Sequence, residues 1–104
     1  MSILHLTPEN FKSTIESASV PVLVDFFADW CMPCKMFAPI LEKVSEKADG
    51  KVIIAKINID DAEQLAAEYH VMSIPTIILF KDGKEAARNV GAMSAGDLMN
   101  FIGV

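Results

Sequence analysis

The 104-residue sequence predicts an α/β fold. Three observations carry that expectation. Short apolar runs alternate with segments of helical periodicity. Residues 20–28 form a nearly unbroken apolar run, which suits a strand covered on both faces. Asp82-Gly83 sits between two further strand-like runs and signals a tight hairpin.

Taken in order, residues 3–6 suit a short first strand, and Thr7-Pro8 suits the start of a helix, with Phe11, Ile15 and Ala18 on one stripe. The strand at 20–28 is interrupted only by Asp25 among its apolar residues. A helix is predicted over 33–48, with Phe37, Leu41, Val44 and Ala48 inward. Pro39 lies inside it, where it removes a hydrogen bond and crowds the preceding turn. Asp49-Gly50 ends that segment, and 52–57 is a second buried strand. Asp60 or Asp61 is placed to cap a helix reaching Tyr69. Residues 76–81 and 85–90 form the hairpin, with Gly83 serving its turn. Ser94 and Asp97 resemble a capping box that opens a last helix with Leu98, Phe101 and Ile102 inward. The expected order is β-α-β-α-β-α-β-β-α. Helical crossovers allow the first strands to pair parallel, and the hairpin adds an antiparallel edge.

Composition narrows the function. The net charge of −5, with no Lys/Arg run, argues against a nucleic-acid surface. No stretch approaches the roughly 18 apolar residues of a membrane span. The opening Met-Ser-Ile-Leu-His-Leu has no basic region followed by an apolar core, so a cytoplasmic protein is expected. One domain over 1–104 is expected, since no linker or repeat divides the chain.

The two cysteines, Cys31 and Cys34, are too few for a disulfide scaffold. Cys-x-x-Cys spacing alone is ambiguous between half a zinc site, a redox pair and two inert cysteines. Zinc needs four ligands, and His5 and His70 are not spaced as a finger pair, so no metal is expected. The position between a buried strand and a helix start favours the redox pair. Residues three apart share a helix face, so small adjustments close a disulfide. Cys31 at the helix N-terminus meets unpaired N–H groups that favour its thiolate. Cys34 lies one turn inside and is expected to be more shielded. Cys31 is therefore the expected nucleophile and Cys34 the resolving thiol. Asp25 is the other residue singled out, because an acid buried among apolar residues has its pKa raised towards neutrality.

Val24-Asp25-Phe26-Phe27-Ala28-Asp29-Trp30-Cys31-Met32-Pro33-Cys34-Lys35 closely resembles the active-site segment of the thioredoxin family. Pro39, Ala55-Lys56-Ile57-Asn58-Ile59-Asp60, Ser73-Ile74-Pro75-Thr76, Phe80-Lys81-Asp82-Gly83 and Val90-Gly91-Ala92 extend the resemblance along the whole chain. It implies a three-layer αβα fold, a five-stranded mixed sheet flanked by four helices. It implies that Pro75 is cis and faces the cysteines, and that the Ile74 backbone pairs with an extended substrate. Trp30, Met32, Pro33, Ile74, Pro75, Gly91 and Ala92 would form the substrate groove. Asp25 would take a proton from Cys34, tuned by Lys56 on the neighbouring strand. A hydrogen-bonded structural acid is the alternative for Asp25.

The implied activity is reduction of protein disulfides, with electrons from a thioredoxin-reductase-type donor. No cofactor beyond the redox-active disulfide is expected, and the implied state is a monomer with transient partners. A disulfide oxidant or isomerase on the same fold, and a redox-silent binding module, are the alternatives. The sequence departs from the family pattern at Met32, where glycine is usual, at Phe27, where tryptophan is common, and at Val71-Met72-Ser73. Met32 is expected to shift redox potential or partner choice.

Overall fold

In the computed structural model, residues 3–104 are described; Met1 and Ser2 lie outside the described residues. Among the described residues the chain forms strands β1 (Leu4–His5), β2 (Val22–Phe27), β3 (Ile53–Asn58), β4 (Thr76–Lys81) and β5 (Lys84–Val90). The helices are α1 (Phe11–Ser17), α2 (Met32–Lys47), α3 (Glu63–Glu68) and α4 (Ala95–Ile102). They build one five-stranded mixed sheet in the order β1-β3-β2-β4-β5. Strands β1 and β2 pair parallel to β3, while β4 runs antiparallel to both β2 and β5.

Side-chain alternation along β2 divides the core into two layers. Val22, Val24 and Phe26 pack with Phe11, Ile15 and Leu65, on the face covered by α1 and α3. Leu23 packs with Phe37, Leu41, Val44, Leu98 and Ile102, on the face covered by α2 and α4. The predicted stripe of α2, Phe37, Leu41, Val44 and Ala48, is wholly buried. Phe37, Leu41 and Val44 each contribute roughly 1.5–3 kcal/mol by leaving water.

Local chemistry sets the element ends. Asp82 and Gly83 both have positive φ, 54° and 77°, so the β4–β5 hairpin turns as the Asp-Gly pair predicts. The Asp97 N–H donates to Ser94 Oγ at 3.1 Å and starts α4. The structure corrects two expected helix starts. Helix α1 begins at Phe11, with Asn10 at its N-cap. Thr7-Pro8 instead forms a preceding turn, closed by the Thr7 N–H donating to Asn10 Oδ1 at 2.8 Å. Asp60 and Asp61 do not cap α3. They lie in a 3-10 turn, Ile59–Asp61, capped by Asn58, and Ala62 stands at the N-cap of α3.

This topology brings three chain segments together at one end of the strands, beside the centre of the sheet. Strand β2 ends where antiparallel β4 begins, with Phe26 paired to Thr76. Thr76 is paired in turn to Val90 at the end of β5. The β2–α2 turn, the approach to β4 and the exit from β5 are therefore neighbours.

Candidate active site

Cys31 occupies the N-cap of α2 and Cys34 its first turn, with Pro33 between them. The two are joined as a disulfide with a Cα–Cα separation of 5.2 Å. The Cys34 N–H donates to Cys31 Sγ at 3.2 Å. An N–H aimed at sulfur, at a helix N-terminus, favours negative charge on Cys31 when the pair is open. Among the described residues, no N–H is directed in this way at Cys34 Sγ.

The expected difference in shielding is not seen. Cys31 is 5% and Cys34 3% exposed, so both are buried in the closed pair. The reason is the convergence of loops: Ala28 and the flanking Phe27, Ile59 and Ile74 pack around both sulfurs. The asymmetry lies in what faces each sulfur. Cys31 Sγ lies 3.8 Å from the Ile74 carbonyl oxygen, on the approach to β4. Cys34 lines an open cleft of about 260 Å³ together with Phe27, Ala28, Asp29, Lys35, Ala38 and Lys56.

Ile74-Pro75 is cis, as the resemblance implies. Pro75 is buried and Ile74 half-buried. The Gly91 N–H donates to the Pro75 carbonyl at 2.8 Å, which ties the exit of β5 to the wall opposite Cys31. Gly91 has φ 107°, a conformation that favours glycine, and a Cβ built there meets nothing within 4 Å. Gly91 therefore faces open space, and Ala92 beside it is exposed.

Asp25 is fully buried, and neither of its oxygens has a hydrogen-bond partner among the described residues. It lies between Leu23 and Phe27 along β2, so alternation puts it on the sheet face covered by α2, the helix of Cys34. Burial raises its pKa from 3.8 to about 7, against a smaller downward pull from Lys56. Lys56 is its register partner on β3, and its Nζ lies 4.4 Å from the centroid of the Phe27 ring.

Two contacts at the site were not legible in the sequence. Trp30 Nε1–H donates to Asp60 Oδ2 at 2.9 Å, pinning a side chain that is otherwise 66% exposed. Arg88 on β5 donates to the Tyr69 carbonyl at 2.7 Å and pairs with Glu85, so it clasps the end of α3 just before the segment leading to Ile74. An aspartate after a strand and an arginine in an edge strand carry no local signal of either role. Among the described residues, no group of three or more His, Cys, Asp or Glu side chains is arranged to hold a metal ion.

A family model described as thioredoxin matches residues 2–103. The chain belongs to the thioredoxin family. It is 43% identical over 100 residues to the thioredoxin of Haemophilus influenzae, covering 96% of this chain and 94% of that one. It is 44% identical over 101 residues to thioredoxin C-2 of Corynebacterium nephridii, covering 97% and 94%. The thioredoxin of Pseudomonas aeruginosa is 43% identical over 100 residues, covering 96% and 93%. The protein is thus a thioredoxin-family protein-disulfide oxidoreductase acting through dithiol–disulfide exchange at a Cys-x-x-Cys pair. Its sheet and four helices are the thioredoxin fold. No helix among the described residues is long and apolar enough to cross a membrane.

Proposed function

We propose that Cys31 is the attacking thiolate and Cys34 the resolving thiol in reduction of substrate-protein disulfides. The Cys34 N–H directed at Cys31 Sγ carries this assignment, because it stabilises charge on one sulfur and not the other. Cys31 thiolate attacks one sulfur of the substrate disulfide; that S–S bond breaks, and one substrate thiolate leaves. Cys34, once deprotonated, attacks Cys31 Sγ, breaks the mixed disulfide and releases the second substrate thiolate. The substrate gains two electrons and, in the end, two protons, and the Cys31–Cys34 pair loses them.

Asp25 serves as the proton acceptor for Cys34. Its pKa of about 7 suits proton transfer near neutrality, and Lys56 sets how far burial pushes it up. Trp30, Met32, Pro33, Ile74, Pro75, Gly91 and Ala92 form the groove. The 3.8 Å approach of Cys31 Sγ to the Ile74 carbonyl supports an extended substrate segment laid against that main chain.

The whole chain, 1–104, works as one domain, as a cytoplasmic monomer with transient protein partners and no membrane or nucleic-acid surface. A thioredoxin-reductase-type donor returns electrons to the pair, which needs no further cofactor. Limiting alkylation of the reduced protein across pH 5–9, mapped by mass spectrometry, tests the assignment of sulfurs. Cys31 is expected to be labelled first throughout; preferential labelling of Cys34 contradicts it. The reduction potential against a glutathione buffer separates a reductase from an oxidant or isomerase on this fold.

A further inference from the structure

Among the described residues, five of the seven exposed large hydrophobic residues lie on the segments that carry the cysteine pair, lead to Ile74 or end β5; Leu4 and Val104 lie elsewhere. Trp30, Met32, Met36, Met72 and Val90 all rank among its exposed large hydrophobic residues. Three of them are methionines, with exposures of 64% for Met32, 72% for Met36 and 91% for Met72. Met32 directly follows Cys31, and Met36 lies one turn further along the same face of α2. Met72 is two residues before Ile74, whose carbonyl touches Cys31 Sγ. All three methionines therefore lie within five residues, along the chain, of Cys31 or of the Ile74 carbonyl that it touches. Met93 and Met99, by contrast, are half-buried against the α2–α4 core.

A thioether in water is open to two-electron oxidation, and the product sulfoxide is polar. Where methionine supplies a flexible apolar contact surface, that change removes the apolar contact without disturbing the backbone. We propose that Met32, Met36 and Met72 are a hydroperoxide-sensitive modification site, and that their sulfoxidation closes the groove to protein substrates while leaving the Cys31–Cys34 pair chemically competent. In each event the methionine sulfur attacks the distal peroxide oxygen. The O–O bond breaks, an S–O bond forms, and the leaving oxide takes the peroxide proton as water or alcohol. Sulfur loses two electrons and the peroxide gains them. The reaction belongs to the closed disulfide, since an open thiolate would itself be oxidised. The proposal rests on the groove assigned above.

The test treats the oxidised protein with hydrogen peroxide and maps sulfoxides by mass spectrometry. The pair is then opened with dithiothreitol. Reduction of insulin is compared with reduction of a small aromatic disulfide. Sulfoxides are expected at Met32, Met36 and Met72 ahead of Met93 and Met99. The kcat/KM for insulin is expected to fall about tenfold, with the small disulfide changed by less than about twofold. Methionine sulfoxide reductases for both epimers should restore the insulin rate. A Met32→Leu, Met36→Leu, Met72→Leu variant, compared only with itself before and after peroxide, should keep its rate. Oxidation of Met93 and Met99 as fast as that of Met32, Met36 and Met72, an unchanged insulin rate, failed restoration or equal loss in the leucine variant overturns the proposal. If Trp30→Ala leaves the KM for insulin unchanged, the groove assignment fails. If Trp30→Ala raises KM and sulfoxidation does not, the modification proposal alone fails.

Discussion

Asp25 stands opposite Lys56 in the register of the parallel β2–β3 pair, yet burial outweighs this positive neighbour and raises the Asp25 pKa from 3.8 to about 7. The sign of the consequence is fixed by linkage. Between those two values the folded chain holds a proton that the unfolded chain gives up, so stability falls as pH rises through the window and levels off above it. Three pKa units set a ceiling of about 4 kcal/mol on that loss. Asp25→Asn removes it and is expected to be more stable than the parent at pH 8 by about 2–4 kcal/mol. Urea unfolding at pH 5 and pH 8 measures both chains; equal slopes of stability with pH contradict the buried-acid account. The same variant should resolve its mixed disulfide more slowly across pH 6–9, and an unchanged rate removes the proton role from Asp25.

The Trp30–Asp60 hydrogen bond holds the indole over the cysteine turn. Asp60→Ala is expected to raise the KM for a protein disulfide several-fold and to cost about 0.5–1.5 kcal/mol of stability, because an exposed contact adds little to the fold. Steady-state kinetics and thermal melts separate the two effects. A large stability loss with unchanged KM places Asp60 in the fold and not in the site.

Gly91 combines a φ of 107° with empty space beyond its Cα. Substitution by alanine is therefore penalised by backbone conformation and not by crowding inside the chain, at about 1–3 kcal/mol. In the proposed groove, the new methyl group also stands where a substrate backbone would pass. Gly91→Ala should raise the KM for insulin more than for a small disulfide; an equal effect on both contradicts close backbone approach at Gly91.

Met32 is 64% exposed, and the proposed groove sets its side chain against partners. Met32→Gly is expected to change rates towards protein disulfides and to shift the potential by about 30 mV or less, the equivalent of 1.4 kcal/mol. Equilibration with glutathione and rates with two protein substrates decide the matter. Identical potentials together with identical rates would show Met32 to be silent.

Periodicity carried most of the architecture. The strand at 76–81 and the Asp82-Gly83 turn fall where alternation and turn chemistry put them, because both depend on neighbours in sequence. The start of α1 was misplaced because Thr7-Pro8 and Asn10 offer competing caps three residues apart, and the choice depends on how the turn closes. The burial of both cysteines and the Trp30–Asp60 contact depend on loops that meet only after β2, β4 and β5 are paired. Asp25 was legible because a single acid among apolar strand residues has no ordinary surface role.

Trapping with single cysteine variants tests the division of labour between the two sulfurs most directly. Cys34→Ser leaves the attacking thiol without its resolver and should accumulate a stable mixed disulfide with substrate protein through Cys31. Cys31→Ser should trap little, since Cys34 lacks the N–H directed at sulfur that favours the Cys31 thiolate. Non-reducing mass analysis after mixing each variant with an oxidised protein substrate reads the result. Abundant adduct on Cys34 in Cys31→Ser, with none on Cys31 in Cys34→Ser, would contradict the assignment.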